Sequence, residues 1–150
     1  MRIQTKIREE LVRRAGTDIA QTLLLPFKAE LIIVHGSHMV VDVQDISNMA
    51  VSSVTLSELE YGVEKSLHKE RNKLALTEFL APLTILPYDE SAAAVYGRVR
   101  AFLENQGIGI GPLDTLIGAH ALSLKAILVT NNQNEFKRIP GLKVENWSKV

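Results

Sequence analysis

The sequence predicts a single α/β/α sandwich in which helices cover both faces of a mostly parallel sheet of about four or five strands. Its 150 residues suit one domain with its own hydrophobic core. Hydrophobic residues make up 46% and aromatic residues 5%, which is ordinary for an α/β protein. Short apolar runs alternate with amphipathic stretches, and this alternation favours parallel strands joined by helices.

The amino-terminal third has the least regular pattern. Its predicted elements are an amphipathic helix over residues 1–15, a short helix ending before Pro26, a strand over 29–34 and a weaker strand over 39–43. We therefore separate a helical segment, residues 1–28, from the main domain, residues 29–150.

From Met49 onward the pattern is clear. The predicted elements are strands over 50–54, 83–86 and 126–130, helical stretches within 56–80, a long helix opened by Asp89 and a helix over 112–124. A glycine-rich loop, residues 106–111, precedes the helix over 112–124, but its spacing is not that of a dinucleotide-binding loop.

Composition excludes several classes of function. The chain has no cysteine, so disulfides, thiolate catalysis and zinc–thiolate sites are excluded, which fits a cytoplasmic protein. No apolar run reaches the ~18 residues of a membrane span, so we expect no membrane association. The formal charge is zero, and any nucleic-acid contact would need a local basic face or a bound cation.

Three polar clusters follow apolar strand-like runs. Glu58 and Asp114 each lie near the start of a predicted helix, and Thr130, Asn131 and Asn132 end the last predicted strand. Ligands of open α/β sheets bind at the carboxyl ends of the strands, where these clusters would meet. Because carboxylate oxygens suit hard cations, the pattern predicts a site for Mg²⁺ or Mn²⁺.

Each of these residues also has a purely structural interpretation. Glu58, on the first turn of its helix, would be favoured there by the helix dipole. Asp114 is equally suited to capping its apolar helix, and Asn131 and Asn132 to forming a turn. Glu135 would add an oxygen to the site or lie solvated at a helix start.

The remaining polar residues favour structural roles. His120, within an apolar helix, is predicted to be a hydrogen-bonded core histidine, and Glu60 and Glu64 to be solvated. Arg98, Arg100 and Lys137 are weak candidates for phosphate contacts.

Residues 51–66, 109–124 and 128–142 together resemble the VapC-type toxins, PIN-domain ribonucleases of bacterial toxin–antitoxin pairs. The segments contain Ser-Ser-Val-Thr before Glu58, Gly-Pro-Leu-Asp ending at Asp114, and Thr-Asn-Asn ending at Asn132. The similarity extends over residues 49–147 and implies a PIN-like fold.

The resemblance also implies an activity and partners. Glu58 and Asp114 would be acidic residues of a site that cleaves RNA with Mg²⁺ or Mn²⁺, and Asn132 occupies the family's fourth acidic position. Thr130 and Asn131 would lie beside the substrate. A VapB-type antitoxin and a second copy in a homodimer are the implied protein partners.

The amino terminus departs from the family pattern. VapC-type toxins open with a strand ending in Leu-Asp-Thr-Asn, which residues 1–48 lack. Asp42, after Met-Val-Val, is the nearest equivalent and our candidate for a third metal ligand. It lies too close to Ala50 for the helix that the family places between them, and Asp45 is a second candidate. An active ribonuclease and a catalytically impaired PIN-fold remnant that only binds antitoxin therefore both stay open.

The helical stretch 56–80 is where we expect an apolar groove for an antitoxin helix. The amphipathic segment 1–15 is an alternative occupant, which would inhibit the chain in cis.

Overall fold

The computed structural model describes residues 31–33, 49–81 and 83–146. Their elements, in chain order, are β1 (Leu31–Ile33), β2 (Met49–Ser52), α1 (Ser53–Lys65), α2 (Lys69–Leu80), β3 (Thr84–Leu86), α3 (Glu90–Asn105), α4 (Pro112–Ser123), β4 (Ile127–Val129), α5 (Gln133–Phe136) and β5 (Lys143–Glu145).

The five described strands form one sheet in the order β3-β2-β1-β4-β5. β2 is parallel to β3, and β4 is parallel to β5. β1 is antiparallel to both of its neighbours, β2 and β4. Four strands therefore run in one direction and only the central strand opposes them, which confirms the predicted α/β class with a mostly parallel sheet.

Because β1 runs opposite to β2 and β4, its amino end lies at the sheet edge where those two strands have their carboxyl ends. Leu31 pairs with Val129 at the carboxyl end of β4, whereas Ile33 pairs with Ile127 and with Met49 at the amino ends of β4 and β2. A central strand within residues 29–43 is thus confirmed, but its carboxyl end lies at the edge opposite to the carboxyl ends of β2 and β4. The predicted strand over 39–43, like Asp42, Asp45 and the helix over 1–15, lies outside the described residues.

A hydrophobic core on the sheet holds the helices in place. Its main cluster joins the central strands to α3, α4 and α5, and contains Ile32, Ala50, Val99, Leu103, Ile117, Ala121, Ala126, Leu128, Phe136 and Ile139. Ile32, Ile117, Leu128 and Phe136 are fully buried. None of the described helices has the length and apolar composition of a membrane span.

Local capping sets the helix starts. The Ser52 hydroxyl accepts a hydrogen bond from the Val54 amide at 3.1 Å, and Asp89 Oδ1 accepts one from the Ala92 amide at 3.0 Å. Pro112 opens α4, where its missing N–H costs nothing. The Ser52 cap corrects the predicted strand over 50–54, because the helix already begins at Ser53.

β5 is the one described strand that the sequence analysis missed. Its three residues, Lys143 to Glu145, contain a single apolar side chain, too little to show alternation. Backbone pairing with β4 places it in the sheet.

Two helical glycines make a matched test of the packing. A Cβ on Gly118 would lie 2.3 Å from Ile139 Cδ1 and 3.3 Å from Phe136 Cδ1, whereas one on Gly97 would meet nothing within 4 Å. We predict that Gly118→Ala lowers the free energy of unfolding by about 1–3 kcal/mol through overpacking. Gly97→Ala should raise it by about 0.5–1 kcal/mol, because alanine is the better helix former. Chemical denaturation measures both, and equal effects would contradict the packing described around α4.

Candidate active site

Four polar side chains come together near the carboxyl ends of β2 and β4. Glu58 lies on α1, which follows β2, and Asp114 lies in the first turn of α4. Asn132 follows β4 and directly precedes α5, which carries Glu135. Segments distant in the sequence thus bring three carboxylates and an amide to one edge of the sheet.

Asp114 is the centre of this group. Asn132 Nδ2 donates a hydrogen bond to Asp114 Oδ2 at 3.3 Å. The pKa of Asp114 is raised from 3.8 to about 6, first by burial and then by the charge of Glu135, a hydrogen bond shared with Glu135 and the charge of Glu58. The Asn132 bond opposes this rise in pKa. Asp114 therefore interacts with all three other members of the group.

The turn that follows β4 positions Asn132. The Asn132 amide donates to Thr130 Oγ1 at 3.0 Å, and the Thr130 amide donates to the Glu145 carbonyl at 2.9 Å. Thr130 is buried and Asn131 is exposed. Thr130 thus supports the turn while β5 anchors it, and Asn132 alone of the three polar residues contacts Asp114.

Glu58 occupies a different place on its helix from the one predicted. α1 begins at Ser53 and has no acidic residue in its first turn, so Glu58 lies beyond that turn. The interpretation of Glu58 as a residue favoured by the helix dipole is therefore wrong, since the dipole acts within the first turn. Burial raises the pKa of the Glu58 carboxyl, as expected for a side chain turned toward the protein.

Glu135 is the residue whose role the sequence analysis underrated. The sequence left it as a further oxygen of the site or, preferably, a solvated residue at a helix start, and in the structure it shares a hydrogen bond with Asp114 and raises the pKa of that carboxyl. Its spacing from Asn132 gives the reason. Asn132 is the N-cap of α5 and Glu135 lies in the first turn of that helix, so one short segment of chain brings both residues to Asp114.

The donor set suits a hard divalent cation. Carboxylate and amide oxygens are the ligands that Mg²⁺ and Mn²⁺ prefer, and within the described ranges no lysine or arginine forms an ion pair with Glu58, Asp114 or Glu135. Among the described residues, however, no three acidic or histidine side chains form a group that could hold a metal ion. Asp42 and Asp45 lie outside the described part of the chain.

The other residues singled out from the sequence have other partners or are exposed. His120 is buried and hydrogen-bonded to Ser52, which confirms its core role. Glu60 pairs with Lys73 and Glu64 with Lys69 on the surface.

The basic residues considered for phosphate contacts are exposed: Arg98, Arg100 and Lys137. Arg100 is paired with Glu104. Asp114 is not the N-cap of α4, because Gly111 occupies that position and Asp114 lies within the first turn.

Comparison with known proteins supports the resemblance. A family model described as PIN domain matches residues 37–142. The tRNA(fMet)-specific endonuclease VapC of Salmonella typhimurium is 48% identical over 101 residues, which cover 67% of this chain and 76% of that protein. Ribonuclease VapC2 of Rickettsia felis is 48% identical over 103 residues, covering 69% of this chain and 77% of that protein.

Solved structures are similar over the same region. DNA-bound VapBC from Salmonella typhimurium matches with a TM-score of 0.68 and 46% identity, over 69% of this chain and 79% of that one. VapBC2 from Rickettsia felis, bound to a promoter DNA fragment, matches with a TM-score of 0.64 and 49% identity, over 65% and 74% of the two chains.

The raised pKa of Asp114 predicts a pH dependence of stability without metal. Between about pH 4 and pH 6 the folded chain keeps a proton on Asp114 that the unfolded chain releases, so this group lowers the free energy of unfolding as the pH rises. Asp114→Asn should therefore stabilise the chain at pH 7.5 in chelator, by about 1 kcal/mol once solvent screening of this half-exposed carboxyl is allowed for. The gain should vanish near pH 4. Thermal unfolding measures it, and a gain independent of pH would contradict the raised pKa.

Proposed function

The chain belongs to the PIN-domain family, with VapC-type ribonucleases among its relatives, and on this basis we propose that it is a metal-dependent endoribonuclease and the toxin of a toxin–antitoxin pair. The observation that carries the proposal is the environment of Asp114. Asp114 is partly buried, accepts a hydrogen bond from Asn132, and has a pKa raised to about 6 by burial and by two neighbouring carboxylates, a cluster of negative charge that a divalent cation would neutralise.

Charge explains why the reaction would need a cation. A phosphodiester is an anion, and Asp114, Glu135 and Glu58 together would repel it. When bound, Mg²⁺ or Mn²⁺ would reverse this repulsion and supply Lewis-acid activation of the phosphate. Asp114 and Glu135, which share a hydrogen bond, would supply carboxylate ligands to the cation, with Glu58 near them.

The polar neighbours would orient this site. Asn132 fixes the Asp114 carboxylate through its amide N–H, leaving the Asn132 side-chain oxygen free to face substrate or cation. Thr130 holds the turn, and exposed Asn131 is placed to contact RNA near the scissile bond.

The source of a further carboxylate decides how active the enzyme is. The amino end of β1 lies at the site edge, where Leu31 pairs with Val129, and Glu30 is the preceding residue in the sequence. Asp42 follows β1, whose carboxyl end lies at the opposite edge. The alternative function, an impaired remnant that only binds antitoxin, applies if none of Glu30, Asp42 and Asp45 contributes.

We predict that Asp114→Asn lowers RNA cleavage at least about 100-fold, because it removes the carboxylate that interacts electrostatically or by hydrogen bonds with every other member of the site. Glu64→Gln is the matched control: its side chain pairs with Lys69 on the surface, and cleavage should stay unchanged. Cleavage of labelled RNA in Mg²⁺ or Mn²⁺ measures both. Equal activity of Asp114→Asn and the parent would refute the proposed mechanism.

Mn²⁺ titration distinguishes an active ribonuclease from a catalytically impaired remnant. An active site should bind Mn²⁺, with binding weakened at least about 10-fold by Asp114→Asn and by whichever of Glu30→Gln, Asp42→Asn and Asp45→Asn removes the further ligand. No binding by the parent chain would favour the remnant.

A VapB-type antitoxin is the protein partner that we propose, and a homodimer is the proposed assembly of the chain itself. Support comes from the relatives solved as VapBC complexes and from exposed apolar side chains on α1, α2 and their connection. Tyr61, Leu67 and Leu74 are all more than half exposed, as an apolar surface awaiting an amphipathic helix would be.

We predict that Tyr61→Ala and Leu74→Ala each weaken antitoxin binding about 10-fold or more, as loss of buried apolar anchors does. Phe102→Ala, which removes an exposed aromatic from α3, should leave the affinity unchanged. Titration calorimetry with a VapB-type antitoxin measures the three variants. Equal affinities would place the antitoxin elsewhere.

Deleting residues 1–28 tests whether the amphipathic segment 1–15 occupies the proposed antitoxin surface instead. If residues 1–15 cover the same surface in cis, the deletion should raise antitoxin affinity and lower thermal stability. Unchanged values of both would rule out inhibition in cis.

A further inference from the structure

A buried polar network ties the helix that carries Asp114 to the strand that leads to Glu58. His120 lies on α4, is 2% exposed, and its Nδ1 is 2.8 Å from Ser52 Oγ. Ser52 is the last residue of β2, has no exposed surface and caps α1. The two elements that carry Asp114 and Glu58 therefore meet through one side-chain hydrogen bond.

The partners of His120 determine its tautomer. The imidazole also bonds the Pro87 carbonyl, which can only accept, and Ser52 occupies Nδ1. Nε2 therefore holds the proton and donates to Pro87, so Nδ1 accepts from the Ser52 hydroxyl. Ser52 Oγ is then free to accept from the Val54 amide, as it does at 3.1 Å. Each side-chain polar atom of His120 and Ser52 has a partner in this arrangement.

Burial keeps His120 neutral. It lowers the pKa of the imidazole, against the opposing effects of the Asp89 charge and the Pro87 carbonyl. The Tyr88 ring packs edge-on to the imidazole, with ring centroids 5.5 Å apart. A neutral ring with a defined tautomer can make directional bonds to two segments at once.

The network reaches a third segment next to the site. The Tyr88 amide donates to Ser53 Oγ at 3.0 Å, so the connection between β3 and α3 is held to the first residue of α1. A buried hydrogen-bond network whose members are all satisfied rigidifies the core and specifies one relative position of the segments it joins. The angle and depth at which α1 leaves the sheet set where Glu58 lies relative to Asp114.

We infer that His120 is a positioning residue for the reaction: through Ser52 and the Pro87 carbonyl it holds α4 and the start of α1 in the register that brings Glu58 toward Asp114. The inference rests on the proposed ribonuclease function and adds a residue to it that does not touch substrate or cation. A displacement of about 1 Å within a catalytic group can cost about 100-fold in rate, so a residue of this kind can act at a distance.

The test compares three variants by their kcat and KM on labelled RNA, well below their unfolding temperatures. His120→Leu removes both hydrogen bonds and should lower kcat about 10- to 100-fold, with KM within about twofold of the parent value. His120→Asn keeps an acceptor for Ser52 and should recover most of the lost kcat. Val99→Ala destabilises the core from α3, where Val99 is buried, and should leave kcat unchanged.

The possible outcomes separate this inference from the proposed function. A parent chain that cleaves no RNA would remove both. An active parent with an equally active His120→Leu variant would remove only the positioning role. The same holds if His120→Asn is no better than His120→Leu, or if Val99→Ala loses kcat to the same extent.

Discussion

Repulsion between carboxylates at one edge of the sheet is the constraint on which the proposed chemistry depends. Asp114 is half-buried against Glu135 and near Glu58, and each neighbour makes its ionisation harder. Folding tolerates this only because the surrounding core holds α4, α5 and α1 in place. Ile117 and Phe136, both fully buried, belong to the helices that carry Asp114 and Glu135. Apolar packing thus holds these carboxylates close together, and a bound divalent cation would neutralise their negative charge.

The sequence was most informative where a residue's role follows from local pattern. The helices after β2 and before β4, the cap by Asp89 and the core position of His120 all follow from periodicity and residue type. Glu135 was underrated because its importance arises from contact with Asp114, which is distant in sequence. The helix start at Ser53 was misjudged because Ser52 belongs both to a strand and to a cap. β5 could not be predicted, since backbone pairing rather than side-chain pattern places it.

The reversed central strand meets the requirements of folding, which do not depend on strand direction, but the proposed chemistry does depend on it. The slot between β2 and β4 requires a buried apolar side chain and backbone pairing on both sides, and Ile32 supplies these without regard to direction. Antiparallel pairing is at least as stable as parallel pairing. The proposed chemistry depends on strand direction, because the residue directly after a strand lies near the site only if the strand ends at that edge of the sheet. β1 ends at the other edge, so its carboxyl end does not lie beside the carboxyl ends of β2 and β4.

Anomalous diffraction from crystals grown with Mn²⁺ would locate the cation relative to these residues. A Mn²⁺ peak about 2.0–2.3 Å from carboxylate oxygens of Asp114 and Glu135, with Glu58 reaching it directly or through water, is the result expected. The same data would identify any further ligand from the amino-terminal segment. Crystals at saturating Mn²⁺ with no peak at this edge, or with a peak only at surface carboxylates such as Glu64, would contradict the assignment of this group as the active site.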